Sequence, residues 1–277
     1  METKSKFSKI IFYTGMSIVG LMFLFPIYYT FINSIRGLND LPAILTPVAY
    51  EWENFKLAVT LIPFWKYLKN SLIILGIALP LGVVFNLIYG YALAKLRAPG
   101  RDAIFYLVLF TMMIPGFAMQ IPQYILFQKI GLTDTFALWV CEGIAGTASM
   151  IFLSRQYFYS IPQAIIEAAY IGGCNPFTVF SKVVVPLSKP LCAIILFQLF
   201  NFNWGDYMTP YMYLSRSKYP LVMAMFSPVE YIMPGTSIVL TPVVNAASLL
   251  FVIPVVMMFF ICQKQLVEGA TAAGVKG

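Results

Sequence analysis

Hydrophobic positions in this chain come in long unbroken stretches, not in the alternation of a strand or the one-sided stripe of a surface helix. Read from charge to charge, six windows are apolar enough to cross a bilayer. They are Ile10–Ile35, Asn70–Ala94, Ala103–Gln128, Thr135–Ser154 (interrupted by Glu142), Pro190–Ser215 (interrupted by Asp206) and Tyr231–Gln263. A helix needs about 20 largely apolar residues to cover roughly 30 Å of hydrocarbon. The pattern therefore predicts spans near 10–32, 70–93, 104–127, 135–154, 190–213 and 239–262, in an all-α membrane protein with six transmembrane helices. The first window is too long for a signal-peptide core and lacks a small-residue cleavage site, so it is expected to remain as an anchoring span.

Composition agrees. Of the 277 residues, 60% are hydrophobic and 10% charged, against roughly 25% charged in soluble domains. There is no histidine, which removes Ser-His-Asp and Cys-His catalysis and histidine-ligated metals. Cys141, Cys174, Cys192 and Cys262 sit singly, with no C-x-x-C pair to suggest a zinc knuckle or disulfide framework. No G-x-x-x-x-G-K-[ST] loop occurs, so ATP-driven work would need an ATPase on another chain.

The net charge of +7 orients the spans. With the N-terminus inside, the cytoplasmic loops hold Lys4, Lys6, Lys9, Lys95, Arg97, Arg101, Arg155, Lys182, Lys189, Lys264 and Lys276. The outer loops hold fewer: Arg36, Lys56, Lys66, Lys69, Lys129, Arg216 and Lys218. The positive-inside rule then predicts cytoplasmic N- and C-termini. The chain divides into a first span with an external segment (1–67), a five-helix core (68–264) and a cytoplasmic tail (265–277). The external segment from Asn33 to Lys69, with Pro42, Pro47, Pro63, Trp52 and Trp65, is expected to be ordered and anchored at the interface.

The cytoplasmic loop 155–189 carries the most information. Pro162 suits a helix start and Gly172-Gly173 a helix stop. Asn175-Pro176 offers a cap and a second start, and Pro186 an end, so two short helices joined at a glycine corner are predicted. The first is apolar apart from Glu167. A helix lying on the inner leaflet would favour lysine and arginine. A single glutamate fits better with docking into a groove on a cytoplasmic protein, with Ala168 and Ala169 permitting close approach.

These residues carry a resemblance. Glu167-Ala168-Ala169, Gly173, and then Val183-Val184-Val185-Pro186 resemble the EAA loop of ABC importer permeases, with valines for the usual isoleucine and leucine. Ile171-Gly172-Gly173-Cys174 stands where carbohydrate-type permeases usually have I-D-G-A. Met113-Ile114-Pro115, Ile121-Pro122, Gly131-Leu132-Thr133-Asp134-Thr135, Trp204-Gly205-Asp206 and the tail Glu268–Gly277 extend the likeness to the smaller permease of the maltose importer group. The resemblance implies a type I ABC importer transmembrane fold in the bacterial inner membrane. It implies a second permease subunit, two ATPase subunits docking on 160–186, and an external solute-binding protein meeting the 215–237 loop. No cofactor is expected on this chain, with ATP-Mg on the partner ATPase. Glu167, Ala168, Ala169, Gly173 and Pro186 would form the ATPase-coupling site.

Polar residues within spans are costly and need a reason. The fifth window holds Gln198, Asn201, Asn203, Trp204 and Asp206. Asn201, Asn203, Trp204 and Asp206 are candidates for a sugar path, and hydrogen bonding to neighbouring helices is the alternative use of such groups. Glu142 reads as interfacial or paired, and the Gly143–Ser149 run as close helix packing.

Overall fold

The computed structural model describes residues 2–226, 231–232 and 239–274, with side chains for 8–225, 231–232 and 239–267. The helices are α1 (Glu2–Ser34), α2 (Glu53–Thr60), α3 (Phe64–Lys95), α4 (Arg101–Met113), α5 (Gly116–Lys129), α6 (Ala137–Ala145) and α7 (Ala148–Ser160). They continue as α8 (Gln163–Ile171), α9 (Pro176–Leu187), α10 (Lys189–Gly205), α11 (Met208–Tyr213), α12 (Leu221–Phe226) and α13 (Thr241–Gly274). Apart from one antiparallel bridge between Ile232 and Val239, the described residues pair no strands.

Four described stretches are long and apolar enough to cross a membrane: Ser8–Ser34, Phe64–Lys95, Ala137–Ser160 and Thr241–Val267. Counting each of two bent pairs as one span raises the number to six. The predicted third span, 104–127, is not one straight helix, because α4 and α5 meet at 104°. Ile114 is extended (ψ 122°) ahead of Pro115, as expected when a proline ring disfavours the helical region for the residue before it. The predicted fifth span, 190–213, also breaks. Its helix ends at Gly205, Asp206 is extended, and the Asp206 carboxylate accepts the Thr209 amide at 3.1 Å as α11 begins. Pro186 does not end α9, since it lies inside the helix, just after a π-helical stretch over Val179–Val184. The wider π turn makes room for the proline ring. The stop falls at Ser188, and the α9–α10 bend is 80°.

Two compact units are resolved by contact. The first comprises residues 1–66 and 223–253. In it, the Asn33 side chain closes a ring with both backbone polar groups of Ala43, at 2.9 Å each. The Asn54 amide donates to the carbonyls of Ser34 (2.8 Å) and Arg36 (2.9 Å). These bonds order the segment after α1.

The second unit, residues 67–222 and 254–277, is organised on α3. Its glycines let neighbouring helices touch: a Cβ on Gly82 would stand 2.6 Å from Leu199, and one on Gly90 2.2 Å from the Ser154 Cβ. From the fourth span, Gly143 packs on Leu81, as the small-residue run predicts. Gly146 (φ +73°) breaks that span between α6 and α7. There the fully buried Asn86 accepts the Thr147 amide at 2.9 Å and donates to Gly82 at 2.6 Å. Much of the predicted 215–237 loop, and the last residues of the tail, lie outside the described residues.

Candidate functional site

The loop between α7 and α10 is built as a helix, a corner and a helix. Gln163 starts α8 directly after Pro162. At the far end the amides of Gly172, Gly173 and Cys174 return to the carbonyls of Ala168, Tyr170 and Ala169, at 3.0, 3.0 and 3.1 Å. Gly173 takes φ +83°, a left-handed position where a side chain would be strained. Asn175 then caps α9, its Oδ1 accepting the Thr178 amide at 2.8 Å, with Pro176 at the first helical position.

One side of this unit is anchored. Ile166, Val179 and Val184 are buried in a cluster with Tyr91, Ala94, Phe158, Leu191 and Ile195. The Tyr91 ring meets Phe180 at 5.1 Å and Phe158 edge-on at 5.7 Å. Lys95 Nζ donates to the Ile161 carbonyl at 2.7 Å, and the Tyr157 hydroxyl to Leu187 at 3.1 Å. The Arg155 guanidinium donates to Leu93 and to Asp102, each at 3.1 Å, and lies 3.6 Å over the Phe105 ring. These clamps are invisible in the sequence, because most of them join a side chain to a distant backbone carbonyl.

The other side is open. Ala164, Glu167, Ala168 and Ile171 occur at i, i+3, i+4 and i+7 of α8, and all four are exposed. Ile171 is 88% exposed, and Phe177, just past the corner, 77%. Ala169 is half-buried at the edge of the stripe, and Gly173 and Pro186 are exposed. The exposed stripe is made of small and apolar side chains with one carboxylate, Glu167, among them.

The candidate path residues are not drawn into one polar cluster. The amides of Asn201 and Asn203 donate to carbonyls of their own helix, Phe197 and Leu199, at 2.8 Å each. Trp204 is buried and stacked on Phe200 at 5.8 Å. Asp206 serves the start of α11 and lies within electrostatic reach of Glu142.

A further feature joins the turn before α6 to the segment after α11. Asp134 stands at φ 54° and donates its amide to Tyr213 at 2.7 Å. Its carboxylate accepts the Ser215 amide at 2.9 Å and pairs with Lys218 at 3.1 Å. The Ser215 amide and hydroxyl, and then Lys218, hold this carboxyl down at about 2, from an ordinary 3.8. The sequence places Asp134 in a turn but says nothing of its partners.

Four apolar helices long enough to cross a membrane, two further bent apolar pairs and a helix–corner–helix loop with an exposed face define an all-helical polytopic membrane protein. Residues 78–270 match the family described as "Binding-protein-dependent transport system inner membrane component", and the chain belongs to that family. It is 28% identical to the arabinooligosaccharides transport system permease protein AraQ of Halalkalibacterium halodurans, covering 95% of both chains. It is 29% identical to the inner membrane ABC transporter permease protein YcjP of Escherichia coli, covering 99% of both. It is 28% identical to the sn-glycerol-3-phosphate transport system permease protein UgpE of Agrobacterium fabrum, covering 92% of this chain and 93% of the other. Among solved structures, it matches a chain of a bacterial ABC transporter involved in the import of the acidic polysaccharide alginate. That match has a TM-score of 0.81 and 25% identity, covering 94% of this chain and 97% of the other.

Proposed function

We propose that this chain is one permease subunit of an ATP-driven, binding-protein-dependent importer of carbohydrate, specifically an oligosaccharide. It lies in the bacterial inner membrane with both termini in the cytoplasm, as the lysine and arginine distribution favours. A second permease completes the path, and an external binding protein delivers solute at the 215–237 loop. The chain binds no cofactor, and ATP-Mg sits on the two ATPase subunits. The arabinooligosaccharide permease among the relatives supports the solute class.

The observation that carries this reading is the open stripe of α8. Glu167 and Ala168 face outward on a helix whose opposite side is pinned by Ile166. In this reading Glu167 pairs with a basic residue of the ATPase, Ala168 and Ala169 lie in its groove, and Gly173 turns the chain into α9. Pro186 keeps that second helix close to the membrane spans. When the ATPase pair closes on ATP, α8 moves as a body, and the clamps from Lys95 and Tyr157 carry the motion to α3 and α7. Asn201, Asn203, Trp204 and Asp206 belong to the span that borders the path.

The test is reconstitution of the complete importer with and without Glu167→Arg. Loss of ATP-driven uptake in the variant, with the membrane complex still assembled, is expected. Unchanged uptake in the variant, or wild-type uptake without ATP, would overturn the coupling role. The glycerol-3-phosphate permeases among the relatives favour a phosphorylated polyol as the second reading of the solute. Competition of the two solutes for uptake separates them.

A further inference from the structure

The break in the fourth span opens a recess of about 230 Å³, lined by Thr147, Ser149 and Met150 from the start of α7 and by Gln198, Leu199 and Phe202 from α10. Thr147 lies near the middle of the candidate span Ala137–Ser160, which puts the recess at mid-depth whichever way the chain is oriented, and Gln198 faces it from α10. Gln198 differs from the amides that follow it on the same helix. Asn201 and Asn203 satisfy themselves on backbone carbonyls. Among the described residues, no hydrogen bond engages the Gln198 amide, the Thr147 hydroxyl or the Ser149 hydroxyl.

Three unsatisfied polar side chains from two helices, gathered at the depth of the hydrocarbon core, are costly if they face lipid. The cost is removed if they face water and a polar solute. The first turn of α7 adds backbone N–H groups that lack partners within the helix. Phe202 is 65% exposed at the edge of the recess and Met150 half-buried beside it. An amide, two hydroxyls and an aromatic face suit a sugar ring, whose hydroxyls both donate and accept and whose C–H face is apolar.

We propose that this recess is a sugar-contact site on the translocation path: Gln198, Ser149 and Thr147 hydrogen-bond ring hydroxyls, and Phe202 stacks on the ring. The site takes one monosaccharide unit at a time, so an oligosaccharide passes it ring by ring. The inference rests on the carbohydrate-importer reading and adds to it a direct solute contact by this subunit.

The experiment uses the complete importer in proteoliposomes, with radiolabelled arabinotriose as solute. In a version lacking the four native cysteines, Ser149→Cys is exposed to a charged, water-soluble thiol reagent. Labelling that arabinotriose slows is expected. Gln198→Leu should cut uptake about tenfold, the loss of one hydrogen bond to the solute. Binding-protein-stimulated ATP hydrolysis should stay within about twofold of wild type, since α8 is untouched. Gln198→Asn should restore part of the uptake. An unlabelled Ser149→Cys would mean that lipid or the partner permease covers the recess, and would overturn the site while wild-type uptake left the importer reading standing. Labelling together with unchanged uptake in Gln198→Leu would also overturn it. Wild-type vesicles that take up arabinotriose without ATP would instead sink the importer reading.

Discussion

Asn86 accepts a hydrogen bond at 2.9 Å from the backbone amide of Thr147, closing the gap where the fourth span breaks. Asn86 is fully buried, so its side chain is committed to this bond and to the Gly82 carbonyl. Removing it leaves the Thr147 amide without its protein partner. Asn86→Leu should lower stability by about 1–3 kcal/mol. Thermal unfolding of the detergent-solubilised protein, followed by tryptophan fluorescence, reads the change. An unaltered midpoint would mean that water replaces the carboxamide.

At Gly90 the backbone of α3 packs closely against α7. A Cβ there would stand 2.2 Å from the Ser154 Cβ and 3.0 Å from the Arg155 amide nitrogen, and the backbone has little room to yield. Gly90→Val should destabilise by about 1–3 kcal/mol through overpacking. Gly76, with nothing within 4 Å of its missing Cβ, is the control: Gly76→Ala should be tolerated. Monodispersity on size-exclusion chromatography and the melting midpoint report both.

Ile166 and Ile171 lie five residues apart on α8 and should separate folding from docking. Ile166 is 2% exposed and Ile171 88%. Ile166→Ala should cost about 2–5 kcal/mol of stability through the cavity it leaves. Ile171→Asp should change stability by less than about 0.5 kcal/mol, yet reduce co-purification of the ATPase subunit. Equal co-purification of wild type and Ile171→Asp would remove the stripe from the docking surface.

Asp134 supplies a pH-dependent contact. Its folded value, about 2, lies below its ordinary 3.8. The stabilisation is therefore fully present above 3.8 and is lost as the pH falls toward 2. At pH 7, Asp134→Ala should melt below wild type, and the gap should close between pH 4 and 2. Lys218→Met should narrow the gap without abolishing it, because the Ser215 bonds come ahead of the lysine in holding the carboxyl down. A gap independent of pH would assign the effect to backbone conformation at φ 54° instead.

The spans, the corner and the cap are legible in the sequence because each follows from a local rule. A long apolar stretch can satisfy its backbone in a bilayer as a helix, and so the predicted spans 10–32, 70–93 and 239–262 find theirs. Gly173 stops α8 through its own φ, and Asn175 caps α9 with its own side chain. The repeat of Ala164, Glu167, Ala168 and Ile171 places them on one face of any helix. Which prolines break a helix was decided by tertiary structure: Pro80, Pro122 and Pro254 stay inside theirs, while Pro115 heads a 104° bend. A freed backbone carbonyl or a displaced turn is affordable only where neighbours receive it, and those neighbours are far away in sequence. The same holds for Asn86 with Thr147, Arg155 with Asp102, and the convergence of Gln198 with Ser149. By itself the sequence determined which stretches are apolar enough for a membrane and where α8 begins and ends. Long-range packing alone decided which polar groups satisfy each other, because their partners lie far apart in sequence.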